Sequence, residues 1–133
     1  MKPRILLIGV GRFGKIHLRV LQQLQQQKKL ELIGAVVKSQ KTKKEIEAVY
    51  HIPTYTTLSV SLLRTVDAVD IVTPIATHYS LIKKCLPHTH VFVEKPLAKN
   101  SQQARTLVAF VKKQKHILMV GHIYRFHPVI QWL

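Results

Sequence analysis

Cysteine is almost absent: Cys85 is the single one in 133 residues. One thiol excludes an intramolecular disulfide and a zinc site built on several thiolates. Its surroundings, from Leu81 to Pro87, read as a helix face carrying an ordinary buried thiol. Long hydrophobic runs are missing too. No stretch approaches the roughly 18 to 20 apolar residues that span a bilayer. The basic start, Met1 to Arg4, precedes only the short apolar run Ile5 to Ile8, too brief for a signal-peptide core. The expected location is the cytoplasm, with no membrane partner. Carboxylates are scarce, with Asp and Glu numbering 6 against 21 Lys and Arg, for a formal charge of +15. Such an excess invites an anionic partner (nucleic acid, an anionic membrane, a phosphorylated cofactor or substrate) or marks a solvated basic surface. Repeats and linkers are absent as well. With 47% apolar residues, the chain suits one packed domain and excludes a disordered or low-complexity one.

What is present alternates in type. Ile5 to Ile8 is a continuous apolar run, as in a parallel strand covered on both faces. Apolar residues spaced as Ile16, Leu18, Val20, Leu21 and Leu24 predict a helix over about 13–28. A strand at 32–37 follows, then a weakly helical 41–50, an extended piece at 52–55 and a brief helix at 58–64. Ala68 to Val72 forms a central strand stopped by Pro74. A helix over 78–86 is ended by Pro87. His90 to Glu94 is the next strand, broken by Pro96. Asn100 or Ser101 caps a helix running to about Lys115, with Leu107, Val108 and Val111 facing the sheet. Ile117 to Gly121 is the last strand, and 127–133 opens one more helix. Strands and helices alternating at this spacing predict right-handed crossovers. The predicted fold class is α/β, a doubly wound parallel six-stranded Rossmann sheet with helices on both faces, as a single domain.

Between the first strand and helix stands Gly9-Val10-Gly11-Arg12-Phe13-Gly14. G-x-G-x-x-G in this setting predicts a dinucleotide site. The first glycine permits the turn, the second lets a pyrophosphate approach the backbone, and the third lets helix and strand pack closely. Amides opening the helix then face the diphosphate. An NAD site usually carries an acidic residue at the end of the second strand. Here Lys38 and Ser39 occupy that point, followed by Lys41, Lys43 and Lys44. These residues, with Arg12, suit a 2′-phosphate, so NADP is expected over NAD.

Further motifs accompany the loop: Thr73-Pro74-Ile75-Ala76-Thr77-His78, then Glu94-Lys95-Pro96-Leu97, then Gly121 to Pro128. With His17 three residues beyond Gly14, the set resembles the N-terminal NAD(P)-binding domain of the Gfo/Idh/MocA oxidoreductases over essentially the whole chain. The resemblance implies that Thr73 and Pro74 line the cofactor groove with His78 nearby. It implies that Glu94 holds the nicotinamide ribose or the lysine. Lys95, beside the nicotinamide, would be the catalytic group, bonding a substrate hydroxyl and stabilising alkoxide charge. Pro96 is often cis in that family. No metal is implied.

The family also carries a C-terminal substrate domain, which is expected to be absent here, since the sequence stops where it would start. The implied activity is hydride transfer to or from a sugar- or polyol-type hydroxyl or carbonyl, if a catalytic half is supplied. The alternative is a short, non-catalytic dinucleotide-binding protein, a sensor or partner subunit. A homo-oligomer or a separate substrate-domain subunit would cover the apolar C-terminal segment. A nucleic-acid-binding protein is the reading the runs Lys41–Lys44 and Lys112–Lys115 suggest, but no recognised motif accompanies them.

Overall fold

A computed structural model describes residues 1–132; the last residue of the helix predicted at 127–133, Leu133, lies outside the described residues. The elements run β1 (Arg4–Ile8), α1 (Gly14–Gln26), β2 (Glu31–Val36), α2 (Gln40–Tyr50), β3 (Thr54–Tyr55), α3 (Val60–Leu63), β4 (Ala68–Ile71), α4 (Ile75–Cys85), β5 (His90–Val93), α5 (Ser101–Val111) and β6 (Leu118–Val120). A 3₁₀ turn at Ile123–Phe126 and a short α6 (Pro128–Trp132) follow. The six strands are parallel, in the order β3-β2-β1-β4-β5-β6. The chain moves outward from β1 in one direction, returns, and moves outward from β4 in the other. The β1–β4 boundary is therefore the point where strand order reverses, and ligands bind there in such sheets.

Alternation along each buried strand feeds two cores. Leu7, Ala35 and Val37 meet Leu18 and Leu21 of α1 and Ile46 of α2 on one face. Leu6, Ile8, Val69, Ile71, Val91 and Val93 meet Leu63, Ile82 and Leu107 from α3, α4 and α5 on the other. Cys85 is wholly buried in this second core, and burial pushes its thiol up to about 12. Side chains cap three helices: Ser39 accepts from the Thr42 amide, Ser59 from Leu62 and Asn100 from Gln103.

Coverage is uneven. On the α1 side, the sheet at β1, β4 and β5 keeps a largely apolar hollow of about 410 Å³ lined by Ile5, Phe13, Ile16, Val20, Ala68 and Phe92. Among the described residues, no helix is long and apolar enough to cross a membrane.

Several element ends differ from the sequence reading. α1 stops at Gln26, and Lys28 turns the chain with φ 60°. α4 starts at Ile75, three residues earlier than expected, because Pro74 (φ −58°, ψ 142°) occupies the position just before the helix; β4 has already ended at Ile71. α5 ends at Val111, because the amides of Lys113 and Gln114 bond three residues back and tighten the last turn. Val108 is 51% exposed, not turned to the sheet. Leu107 and Val111 lie four residues apart on the inner face, and an adjacent residue cannot share it.

Candidate functional site

The glycine loop lies at the carboxyl end of β1. Gly9 has φ +95°, and a Cβ there would meet the Thr73 methyl at 2.7 Å and the Val72 carbonyl at 2.9 Å. Only glycine fits this turn between β1 and β4. A Cβ on Gly14 would collide with the Gly9 carbonyl, so α1 sits directly against the strand end. Gly11 is different: nothing lies within 4 Å of where its Cβ would be. The loop thus offers bare, open backbone at its middle glycine, with no side-chain cap on α1 to compete for the helix amides. A diphosphate fits that cradle. Val10 is buried in the α1–α2 core, so it presents only backbone, whereas Arg12 and Phe13 are exposed.

Beyond the loop, a hollow of about 590 Å³ between α1 and α2 is lined by Gly11, Arg12, Lys15, Arg19, Thr42 and Glu45. Lys38 and Ser39 stand exposed at the end of β2, and Ser39 spends its Oγ capping α2, 3.2 Å from the Thr42 amide. The cationic side chains that line this hollow are Arg12 of the loop and Lys15 and Arg19 of α1, with Lys38 exposed at the strand end.

At the other end, a hollow of about 290 Å³ is lined by Phe13, Val72, Thr73, Glu94 and Lys95. The sequence motifs after β4 and β5 thus meet the glycine loop in one groove. The Lys95–Pro96 peptide is cis. Pro74 is exposed beside Thr73, whose hydroxyl accepts from Thr77 at 2.7 Å. His78 lies beneath the groove, 1% exposed, with its ring between the carbonyls of Thr73 (2.8 Å) and Pro96 (2.9 Å). From there it ties the two turns together and does not form the groove's wall.

His17, Asp70 and Gly121, left without a role by the sequence, surround Glu94 at this end. His17 Nδ1 is 2.8 Å from Asp70 Oδ2, and His17 Nε2 is 3.4 Å from Glu94 Oε1. Glu94 Oε2 in turn accepts the Lys95 amide at 3.2 Å. The bond to Asp70 raises the His17 pKa above its ordinary 6.5; partial burial opposes this, and the charges of Asp70 and Glu94 add to the rise. Asp70 is buried, and its Oδ1 has no partner. Gly121 is the seat of the Glu94 carboxylate, since a Cβ there would lie 2.8 Å from Oε1. Asp70 gave no sequence signal beyond being a carboxylate inside an apolar strand. Among the described residues, no group of His, Cys, Asp and Glu is arranged to hold a metal ion.

A family model described as "Oxidoreductase family, NAD-binding Rossmann fold" matches residues 3–122. Over 128 residues, the chain is 30% identical to a UDP-N-acetylglucosamine 3-dehydrogenase of Acidithiobacillus ferrooxidans, covering 96% of this chain and 39% of that protein. A solved structure of that dehydrogenase superposes with a TM-score of 0.85 at 28% identity, covering 99% of this chain and 42% of the other. A 4-carboxy-2-hydroxymuconate-6-semialdehyde dehydrogenase of Sphingobium sp. is 32% identical over 133 residues, 98% of this chain and 41% of its own length. An inositol 2-dehydrogenase of Rhizobium meliloti is 29% identical over 129 residues, 96% of this chain and 38% of its own. The chain spans about two fifths of the length of these relatives.

Proposed function

Because this chain belongs to the Gfo/Idh/MocA oxidoreductase family, whose NAD-binding Rossmann domain matches residues 3–122, we propose that residues 1–133 are the dinucleotide-binding unit of an oxidoreductase. Its reaction moves a hydride to or from a hydroxyl or carbonyl of a sugar- or polyol-type substrate. The observation that carries this reading is a glycine loop with a hollow on either side: one lined by the open Gly11 and by Arg12, the other by Phe13, Thr73, Glu94 and Lys95. The substrate class follows the dehydrogenases of UDP-N-acetylglucosamine and inositol among the relatives.

Each residue then has a task. Gly11 and the first amides of α1 hold the diphosphate. Thr73 and Phe13 wall the nicotinamide end, with Pro74 next along the turn and His78 bracing it from below. The nicotinamide, when bound, supplies or accepts the hydride. Lys95 donates a hydrogen bond to the reacting substrate oxygen and stabilises the negative charge that develops there. Any further proton carrier and most of the substrate's wall come from outside these residues.

At the adenosine end the reading favours NADP over NAD. No carboxylate follows β2 before Glu45, Arg12 lines the hollow between α1 and α2, and Lys38 stands exposed at the end of β2, a set of cations that suits a 2′-phosphate. Calorimetric titration with NADPH and NADH tests both steps. Gly11→Val places a side chain in open space, so the protein folds normally while both cofactors lose affinity by about tenfold or more, on the order of 1.4 kcal/mol. Arg12→Ala weakens NADPH by about tenfold and leaves NADH within about twofold. Full affinity in Gly11→Val overturns the site, and tighter NADH than NADPH binding in the unmodified protein overturns the NADP preference.

A further inference from the structure

His17 projects from the first turns of α1 between two carboxylates from different strands: Asp70 on β4 and Glu94 just past β5. These are the titratable groups that face it; its other neighbours are the Phe13 and Phe92 rings, with centroids at 5.1 and 6.3 Å. Asp70 is buried with Oδ1 unpartnered, so His17 is its side chain's compensating contact. A buried carboxylate with one bare oxygen is stabilised by a charged donor opposite it. The geometry suits an imidazolium, whose two ring N–H groups would face the two carboxylates.

The consequence reaches the groove through Glu94. Its Oε1 lies 3.4 Å from His17 Nε2, an ion-pair contact when the ring is charged; its Oε2 accepts from the Lys95 amide, and Gly121 leaves the space it occupies. These contacts orient the carboxylate in the 290 Å³ hollow it shares with Thr73 and Lys95. A neutral His17 keeps its proton on the nitrogen facing Asp70 and turns a lone pair toward Glu94. Glu94 is then repelled instead of held.

Resting on the dinucleotide reading above, we infer that His17, backed by Asp70, is a positioning residue: as an imidazolium it fixes Glu94 for the nicotinamide half of the cofactor. The raised pKa of His17 agrees with this state. Affinity at the nicotinamide end then falls as pH rises through the His17 value, while the adenosine end is indifferent. His17→Asn keeps a donor toward Asp70 and removes the one toward Glu94.

The test is fluorescence titration of NADH, whose 2′-hydroxyl does not ionise in this range, between pH 6.5 and 9, with ADP as the probe lacking the nicotinamide and its ribose. Expected for the unmodified protein is a loss of NADH affinity of about tenfold across the range, on the scale of one pKa unit of differential interaction, with ADP changing less than about twofold. His17→Asn binds NADH as weakly at pH 6.5 as the unmodified protein does at pH 9, with a flat profile and unchanged ADP affinity. A flat NADH profile in the unmodified protein overturns the inference without any variant, as does an unaltered profile in His17→Asn. If neither NADH, NADPH nor ADP binds, the dinucleotide reading fails and this inference fails with it. ADP binding with a flat NADH profile sinks only the positioning role.

Discussion

Single residues here fasten strands to one another as much as they serve the groove. Arg4 and Asp67 clasp the beginnings of β1 and β4: the guanidinium bonds both carboxylate oxygens at 3.0 and 3.3 Å, and the Arg4 amide adds a bond of 2.7 Å. These bonds hold the Asp67 carboxyl below its ordinary 3.8. A carboxyl depressed in the folded state binds fewer protons there than in the unfolded chain. Its stabilisation is thus complete above pH 3.8 and is lost as pH falls through the folded value. Acidification from about pH 4 to 2 therefore lowers the thermal midpoint, and Asp67→Asn removes part of that slope. Melting curves across the range check it; parallel slopes in the two proteins would refute the clasp. At this scale the sequence was least legible. Gly9, Gly11 and Gly14 announce themselves by spacing, because a turn, an open approach and a tight packing each demand glycine at a fixed offset. The pairing of His17 with Asp70 does not, because 53 residues separate the two and only the fold brings them within 2.8 Å.

Elements were legible wherever hydrophobic period and chain punctuation agree. The six strands, their parallel pairing and the glycine loop between β1 and α1 follow from such agreement. Where one residue serves two neighbours, the boundary moved. Pro74 lies in the turn after β4 and stands at the start of a helix, so α4 opens at Ile75 and the Thr-Pro turn precedes it directly. In α5 an apolar residue stood beside the true inward one, and composition alone could not choose between them. The structure chooses by angle: Leu107 is fully buried, while Val108 faces outward. Leu107→Ala should cost about 2–5 kcal/mol and Val108→Ala no more than about 0.5 kcal/mol. Chemical denaturation of both variants decides, and equal losses would overturn the assignment of the inner face.

The whole molecule carries charge and apolar surface in an unusual combination. Phe13, Ile16 and Val20 remain about half exposed beside the hollow under β4 and β5, and Ile123, Tyr124, Phe126 and Trp132 are more exposed still. A surface this greasy ordinarily brings copies together. Opposing it is a formal charge of +15, spread along the helices and through Lys38–Lys44 and Lys112–Lys115. The reach of that repulsion is set by counterions, about 30 Å at 0.01 M salt and 3 Å at 1 M. In colloidal terms, this protein is a charge-stabilised particle and not a polar-coated one. Raising sodium chloride toward 1 M should increase its light scattering and sedimentation coefficient at fixed pH, the reverse of the salting-in expected of a polar-coated protein; a salt-independent monomer would show that the apolar half-face does not self-adhere. Its dispersion in water is then a property of the buffer as much as of the fold.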